Sequence, residues 1–308
     1  MSRKNVKKTP ESQNNQENGH INTDEKFLDQ TLRPNTWDEY IGQKNIKENL
    51  KILLKAAEQR KHPPEHLLFY GPPGLGKTTL ANLIAKETRA QLKATSGPAI
   101  EKVGDLASIL TNLSPGDILF IDEIHRLNKA IEEVLYPAME SGSLDIIIGK
   151  DVTANPVKIN LMPFTLIGAT TRYGDISSPL RDRFGIVHQL NYYKINELQS
   201  IVKRTSRIYN FEIDEESSLE IARRSRGTPR IANRLFKRVR DFAQFDNPEC
   251  KIIPLNITKT SLIKLDIDEA GLDQTDYRYM NAIIDRFNGG PVGLNAIAAS
   301  ISEDPTTL

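Results

Sequence analysis

The chain has 308 residues, enough for about two domains and a small third one. Its 41 lysines and arginines against 40 aspartates and glutamates leave a formal net charge of +1, so any nucleic-acid partner must be argued from local patches. One cysteine excludes an internal disulfide, and no apolar run resembles a membrane span or a signal-peptide core, so we expect a cytoplasmic protein with no membrane contact.

The first 25 residues are dominated by Asn, Gln, Lys, Ser and Glu and have almost nothing to bury, which predicts a disordered tail. Arg3, Lys4, Lys7 and Lys8 make this tail mildly basic. The pattern favours a solvated tail over a weak contact with nucleic acid.

Order is expected from about residue 27 onward. Leu32-Arg33-Pro34 fixes a turn, and apolar residues at helical spacing predict a helix from Asn45 through about Arg60. This block immediately precedes the first predicted strand. Leu32 and Ile41 are therefore either apolar walls around a nucleotide base or ordinary core residues, and periodicity alone does not separate the two readings.

Residues 67–80 join a short apolar strand to a glycine-rich loop and then to a helix. Gly71 to Thr78 match the phosphate-loop pattern G-x-x-x-x-G-K-[ST]. The glycines let backbone N–H groups turn toward phosphate oxygens, and the positive end of the helix adds to the attraction. We predict that Lys77 bridges the β- and γ-phosphates, that Thr78 ligates Mg²⁺, and that Thr79 reaches the α-phosphate side.

A second nucleotide element follows the four-residue apolar run Ile118–Ile121, which is typical of a parallel strand buried on both faces. The run ends on two adjacent acids, Asp122 and Glu123. At this position an acid can hold Mg²⁺ and its neighbour can polarise the attacking water, so we assign the metal to Asp122 and the base to Glu123. His125 is close by, but a packing or helix-start role is favoured over catalysis.

The next buried strand ends in Thr170 and Thr171, whose hydroxyls are expected beside the phosphate loop, where they could sense the γ-phosphate or orient water. Arg181 and Arg183 then stand at a helix end. Such a pair is usually solvated or ion-paired, but next to a nucleotide site one arginine could act on the neighbouring subunit's phosphates.

Before this last strand, the sequence predicts two further strands around a polar loop, over Leu144–Gly149 and Val157–Leu161. Three consecutive isoleucines, Ile146–Ile148, indicate either burial or a protein-docking surface. The residues alone leave both readings open.

From about Lys194 helices replace strands. Asp214 is a candidate helix cap, and Thr228-Pro229 predicts a helix start with Arg230 in the first turn of a helix through about Phe242. The many basic residues from 223 to 240 are expected mostly on a solvated face. Arg230 is the one that we expect to reach a phosphate.

Pro254–Leu265 is expected to link to a third unit, with helices over residues 276–287 and 294–302 around a glycine-proline turn. Another helix begins at Glu303-Asp304-Pro305 as the chain ends. Two helices and the start of a third cannot enclose a core well, so this unit looks truncated.

With these residues in view, the chain resembles the RuvB family of AAA+ ATPases from about residue 27 to its end. The motifs that carry the resemblance are Leu32-Arg33-Pro34, Gly71 to Ala81, Ile121 to Leu127, Gly168 to Arg172, Ser178 to Gly185, Arg226 to Arg234 and Gly289 to Leu294. The phosphate loop and the Asp-Glu strand alone would indicate only an AAA+ protein or a relative. The longer stretches narrow the resemblance to this one family.

The resemblance implies an α/β AAA+ P-loop domain with a parallel sheet over residues 26–192, a small all-helical lid over 193–262 and a partial winged-helix domain over 263–308. It implies a homo-hexameric ring that hydrolyses ATP to ADP with Mg²⁺ and pumps double-stranded DNA, driving Holliday-junction branch migration in recombination, repair and the SOS response. A RuvA-like junction-binding protein is the expected partner, and a RuvC-like resolvase is a further candidate. The alternatives are a clamp-loader-like or protein-remodelling ATPase and an ATP-gated scaffold.

The resemblance also implies roles for individual residues. The nucleotide contacts would come from Leu32, Arg33, Ile41, Gly74, Leu75, Gly76, Lys77, Thr78, Thr79, Tyr193, Arg183 and Arg230. The catalytic set would be Lys77, Asp122, Glu123, Thr171 as sensor 1 with Thr170 less favoured, Arg183 as the finger given to the adjoining subunit, and Arg230 as sensor 2. Thr78 and Asp122 would hold the metal.

Three further expectations come from the same resemblance. The hairpin over residues 144–166 matches the docking site for the RuvA-like partner, which favours exposure of its isoleucines. Ser141-Gly142 stand where the family usually has an acidic residue and an aromatic one, which leaves a nucleotide contact from that turn open. The recognition helix and wing of the last domain would lie beyond Leu308, so we expect this chain to bind DNA poorly.

Overall fold

A computed structural model describes residues 31–148 and 155–305. The predicted tail, the start of order near residue 27 and the tip of the hairpin lie outside the described residues, as do the side chains of the isoleucine run. Within the described ranges, no helix is long and apolar enough to cross a bilayer.

Strands and helices are interspersed as far as Gln189, and the elements afterwards are mainly helical. The strands are β1 (Leu67–Tyr70), β2 (Leu92–Ser96), β3 (Ile118–Asp122), β4 (Ser143–Ile148), β5 (Asn155–Asn160), β6 (Thr165–Thr170), β7 (Ile186–Gln189), β8 (Glu212–Ile213) and β9 (Ile252–Ile253). The α-helices are α1 (Lys44–Arg60), α2 (Lys77–Glu87), α3 (Val103–Thr111), α4 (Lys129–Glu140), α5 (Ser178–Arg181), α6 (Ile195–Ile208), α7 (Glu215–Arg223), α8 (Pro229–Asp246), α9 (Leu255–Lys264), α10 (Gln274–Asn281) and α11 (Leu294–Ile301).

A five-stranded parallel sheet, in the order β2-β3-β6-β1-β7, forms the centre of the first domain. Successive side chains of a strand point to opposite faces. Accordingly Leu67 and Phe69 belong to an apolar cluster that continues into the helices after β7, while Leu68 belongs to a second cluster with α3 and α4. Burial on both faces explains why β1, β3 and β6 are continuous apolar runs.

β4 and β5 pair antiparallel outside this sheet, which confirms the predicted hairpin. Leu144 at its base is fully buried, whereas Val157 is 38% exposed. The hairpin is thus anchored to the domain at one end.

The helices after Lys194 form a second layer in which α6, α7, α8 and α9 pack on one another. Asp214 caps α7 by accepting the N–H of Ser217, as predicted, and Pro229 stands in the first turn of α8. A two-residue parallel ladder, β8 with β9, joins this layer, and the sequence pattern did not indicate it.

The local structure adds to or departs from the sequence-based expectations at three places. β2 was not predicted, because its sequence Leu-Lys-Ala-Thr-Ser lacks the apolar run of a buried strand and lies at the edge of the sheet. Pro254–Leu265 is not a linker but contains α9, whose Leu262 is fully buried. The basic residues from 223 to 240 are mostly exposed or partly exposed, as expected, and Arg224 is the exception, because it is 5% exposed and pairs with Glu220.

Candidate nucleotide-binding site

The carboxyl ends of β1, β3 and β6 lie side by side in the parallel sheet, and the chain leaves each of them toward the same cleft. Among the residues lining the cleft are Leu32, Arg33, Ile41, Gly74, Leu75, Gly76, Lys77, Thr78, Thr79, Asp122, Glu123, Thr171, Tyr193 and Arg230. The structure therefore brings every predicted site residue except Arg183 to one place. Their roles stay predictions.

The loop from Gly71 to Gly76 begins where β1 ends and leads into the first turn of α2. No side chain caps α2, so its first N–H groups have no partner within the helix and stay available to an anion. Lys77 is 7% exposed, and its Nζ donates to the carbonyls of Gly71 (2.7 Å) and Pro72 (2.9 Å). Burial lowers the pKa of Lys77, while the nearby Asp122 and Glu123 oppose this shift.

Asp122 is the last residue of β3, and its Oδ1 accepts the N–H of Glu123 at 3.0 Å. Burial raises the pKa of Asp122, an effect that this hydrogen bond opposes. Glu123 has a φ of 48°, in the left-handed region that non-glycine residues rarely occupy. Backbone strain of this kind concentrates at functional sites, where the surrounding structure maintains it.

Thr171 donates its hydroxyl to Glu123 Oε2 at 3.2 Å, which fixes the carboxylate at the floor of the cleft. Thr170 has a different environment. It is fully buried, its Oγ1 lies 2.8 Å from His125 Nδ1, and it accepts the N–H of Arg172. Thr170 lies beside the phosphate loop, as expected, because its carbonyl accepts the N–H of Gly71 at 3.2 Å, but these two contacts occupy its hydroxyl. His125 packs against Thr170, and its Nδ1 also lies 3.4 Å from Glu123 Oε2, so its role stays a prediction.

The helical layer closes the phosphate side of the cleft through the first turn of α8. The N–H of Arg230 points to the carbonyl of Gly74 at 3.4 Å. A Cβ added to Gly74 would lie 2.8 Å from Thr228 Cγ2 and 2.9 Å from Arg230 Cβ. This close approach sets Arg230 directly against the phosphate loop.

The other end of the cleft is apolar and aromatic. Tyr193, only 7% exposed, donates its hydroxyl to the carbonyl of Leu75 (3.1 Å), and its oxygen lies 3.3 Å from Tyr40 Oη, which can donate to it. Burial raises the pKa of Tyr193 to about 12. Leu32 is 4% exposed and Ile41 is partly buried. Both residues line the cleft and also pack in the core, so the structure is compatible with both interpretations of the sequence, a wall of the nucleotide site and a core position.

Arg183 lies apart from this cleft, in a hollow that Ser141 and Gly142 also line. Its guanidinium donates to the carbonyl of Pro179 (2.6 Å), pairs with Glu140 Oε1 (3.0 Å) and lies 4.2 Å from the centre of the Tyr136 ring. Arg183 therefore makes no part of the cleft of its own chain.

Sequence reasoning missed several residues of the cleft wall, among them Glu39, Tyr40, Ile201, Arg204 and Asn233. Helical spacing could have found Asn233, which follows the predicted Arg230 by three positions on α8 and shares its helix face. Ile201 and Arg204 are also three positions apart, on α6, but no predicted site residue lies on that helix.

A parallel sheet with a phosphate loop, adjacent acids on the neighbouring strand and a helical lid over the loop defines an ATPase of the AAA+ class. Three family models match consecutive parts of the chain: the Holliday junction DNA helicase RuvB P-loop domain over residues 32–190, the RuvB AAA lid domain over 193–268 and the RuvB C-terminal winged helix domain over 269–308. The chain belongs to the RuvB family.

Individual relatives agree with this assignment. The Holliday junction branch migration complex subunit RuvB of Acholeplasma laidlawii is 57% identical over 277 residues, which cover 90% of this chain and 82% of the relative. Its counterpart in Phytoplasma mali is 56% identical over 280 residues, covering 91% and 84%. The structure of Thermotoga maritima RuvB, described as the Holliday junction branch migration motor, matches with a TM-score of 0.81 at 48% identity, covering 90% and 88%.

Proposed function

We propose that this chain is the ATP-hydrolysing motor of Holliday-junction branch migration, acting in the cytoplasm as a hexameric ring on double-stranded DNA with a RuvA-like partner. The observation that carries the proposal is the meeting of Lys77, Glu123 and Arg230 in one cleft of a RuvB-family chain. The family comparisons do not favour the remodelling or scaffold alternatives.

In this proposal, the residues that line the cleft have separate roles in binding the phosphates and in hydrolysis. The first-turn amides of α2 and Lys77 bind the β- and γ-phosphates, and Arg230 approaches the γ-phosphate from the lid. Glu123 accepts the proton of the attacking water, and Thr171 holds the Glu123 carboxylate in place through its 3.2 Å hydrogen bond.

Mg²⁺ fits the same cleft. The Thr78 hydroxyl and the Asp122 carboxylate both line it, and they would hold the ion. Mg²⁺ usually takes one or two carboxylates from the protein and completes its shell with water and phosphate oxygens. When bound, Mg²⁺ would neutralise part of the negative charge of the phosphates.

Arg183 would act in trans. It lies outside the cleft of its own chain, in a surface hollow, and its guanidinium already pairs with Glu140. We propose that an adjoining subunit's γ-phosphate takes the place of Glu140. Mixing Arg183→Ala with Lys77→Ala subunits should then restore some turnover, and a loss that is strictly additive would refute action in trans.

The domain division belongs to the same proposal, with an ATPase domain to about residue 192, a lid, and a winged-helix domain. Because α9 continues to Lys264, we place the second boundary after that helix rather than within it. The hairpin of β4 and β5, anchored at Leu144, is proposed as the surface for the RuvA-like partner, and a RuvC-like resolvase would join the same complex.

The proposal is tested by the dissociation of a labelled four-way junction in the presence of a RuvA-like protein, ATP and Mg²⁺. The expected result is dissociation that depends on ATP and is absent with Lys77→Ala. If a full-length chain consumes ATP but never moves the junction under these conditions, the motor is refuted and a remodelling ATPase is indicated.

A further inference from the structure

The segment from Leu32 to Ile41, which we name the N-terminal strap, forms one wall of the apolar end of the cleft. Two lysines tie it to the ATPase domain. Lys86 on α2 donates to Asn35 Oδ1 (2.5 Å), and Lys47 on α1 donates to the carbonyl of Tyr40 (2.9 Å). The strap is thus fixed to the helix that follows the phosphate loop.

Arg204 on α6 links the strap to the lid. Its Nη1 donates to the carbonyl of Leu32 at 2.8 Å, and its Nη2 lies 3.4 Å from Glu39 Oε2. That carboxylate also accepts the N–H of Asn35 at 2.8 Å, the main reason why the pKa of Glu39 is lowered. Since Leu32 is only 4% exposed, its carbonyl depends on Arg204 for a hydrogen bond that water could not easily replace.

Arg204 also separates two spaces. On one side it lines the cleft, and on the other side it lines a neighbouring cavity of about 680 Å³, whose wall includes Arg207 and Asp38. Glu39 and Ile41 border both spaces in the same way. Arg204, Glu39 and Ile41 therefore lie between the cleft and the neighbouring cavity.

We propose that Arg204 is a positioning residue for the nucleoside part of the bound nucleotide. It holds the N-terminal strap against the lid and so keeps the walls formed by Leu32 and Ile41 at the distance that a base requires. The inference rests on the proposed function in one respect, namely that the cleft binds ATP. The phosphates bind at the opposite end, so the contribution of Arg204 should be specific to ligands that carry a nucleoside.

The experiment compares the binding of ADP with that of inorganic tripolyphosphate by competition against a fluorescent ADP. For Arg204→Ala we expect the Kd for ADP to rise about tenfold, as for the loss of one charge-assisted hydrogen bond, with the Kd for tripolyphosphate unchanged. Arg207→Ala is the matched control, since it removes the same charge three positions further along α6, outside the cleft, and should change neither Kd.

In turnover assays, Arg204→Ala should raise the KM for ATP without lowering kcat, the signature of binding that is uniform in ground and transition states. Arg204→Lys should recover part of the affinity for ADP. If Arg204→Ala does not fold, Glu39→Ala at the more exposed end of the pair serves in its place, with an expected rise of about twofold to fivefold for ADP alone.

An unchanged Kd for ADP, or equal weakening of ADP and tripolyphosphate, would overturn the positioning role of Arg204, because a general loosening of the fold affects both ligands. Lys77→Ala distinguishes this outcome from failure of the proposed function. It should weaken both ligands in the otherwise unchanged protein, and if it weakens neither, the cleft itself is not the nucleotide site.

Discussion

Gly74 offers a direct test of the contact between the phosphate loop and the lid. Its φ is +78°, and an added Cβ would stand 2.8 Å from Thr228 Cγ2 and 2.9 Å from Arg230 Cβ. In Gly74→Ala the left-handed backbone costs about 1–2 kcal/mol. In addition, the first turn of α8 must move away by roughly half an ångström or more, since carbon atoms pack at about 3.5–4 Å.

That displacement carries Arg230 away from the loop. A misplacement of about 1 Å can cost about 10²-fold in rate, so we expect the kcat/KM for ATP to fall by about tenfold to a hundredfold. Steady-state ATPase assays measure this loss, and thermal unfolding reports the cost to the fold in parallel.

Gly116→Ala is the control that isolates the contact. Gly116 has a φ of +84° with no atom within 4 Å of the added Cβ, so the substitution carries the same backbone strain in open space. Both variants should lose stability to the backbone strain, and Gly74→Ala should lose more because of the added contact, but only Gly74→Ala should lose activity. If Gly74→Ala hydrolyses ATP as Gly116→Ala does, the lid does not press Arg230 onto the phosphate loop and the reasoning is refuted.

Glu123→Gln should retain ADP binding and lose about 10²- to 10⁴-fold in turnover, and nearly full activity would remove Glu123 as the base. Burial lowers the pKa of His66 below its ordinary value of 6.5, so the stability gained from its neutral ring is fully present above about pH 6.5 and is lost as pH falls through the lowered pKa. The unfolding midpoint should therefore drop on acidification, and less so in His66→Gln. Arg224→Met removes the buried partner of Glu220, whose own side chain is 14% exposed, and should cost about 3–5 kcal/mol in denaturant unfolding, whereas Arg223→Met, at an exposed position, should change little.

Local patterns predicted the phosphate loop and the Asp122-Glu123 strand end, because in each case the chemistry and its structural context are contiguous in the chain. The hydrogen bond from Arg204 to Leu32 joins residues 172 positions apart. The helical or strand spacing of a sequence concerns nearby positions only and cannot predict a contact at that separation. Arg224 shows the same limit. Its guanidinium is buried because the carbonyl of Ile267, 43 positions away, accepts from it, whereas composition alone favours a solvated arginine.

The left-handed backbone of Glu123, with a φ of 48°, lowers the stability of the protein at a residue that its proposed activity requires. Asn and Gly adopt this conformation more readily than Glu, so replacing Glu123 by either should relieve about 1 kcal/mol of strain while removing the carboxylate. A screen that rewarded only heat resistance would therefore favour variants that no longer hydrolyse ATP. Engineering of this protein for thermostability should hold the position constant and seek its gains elsewhere.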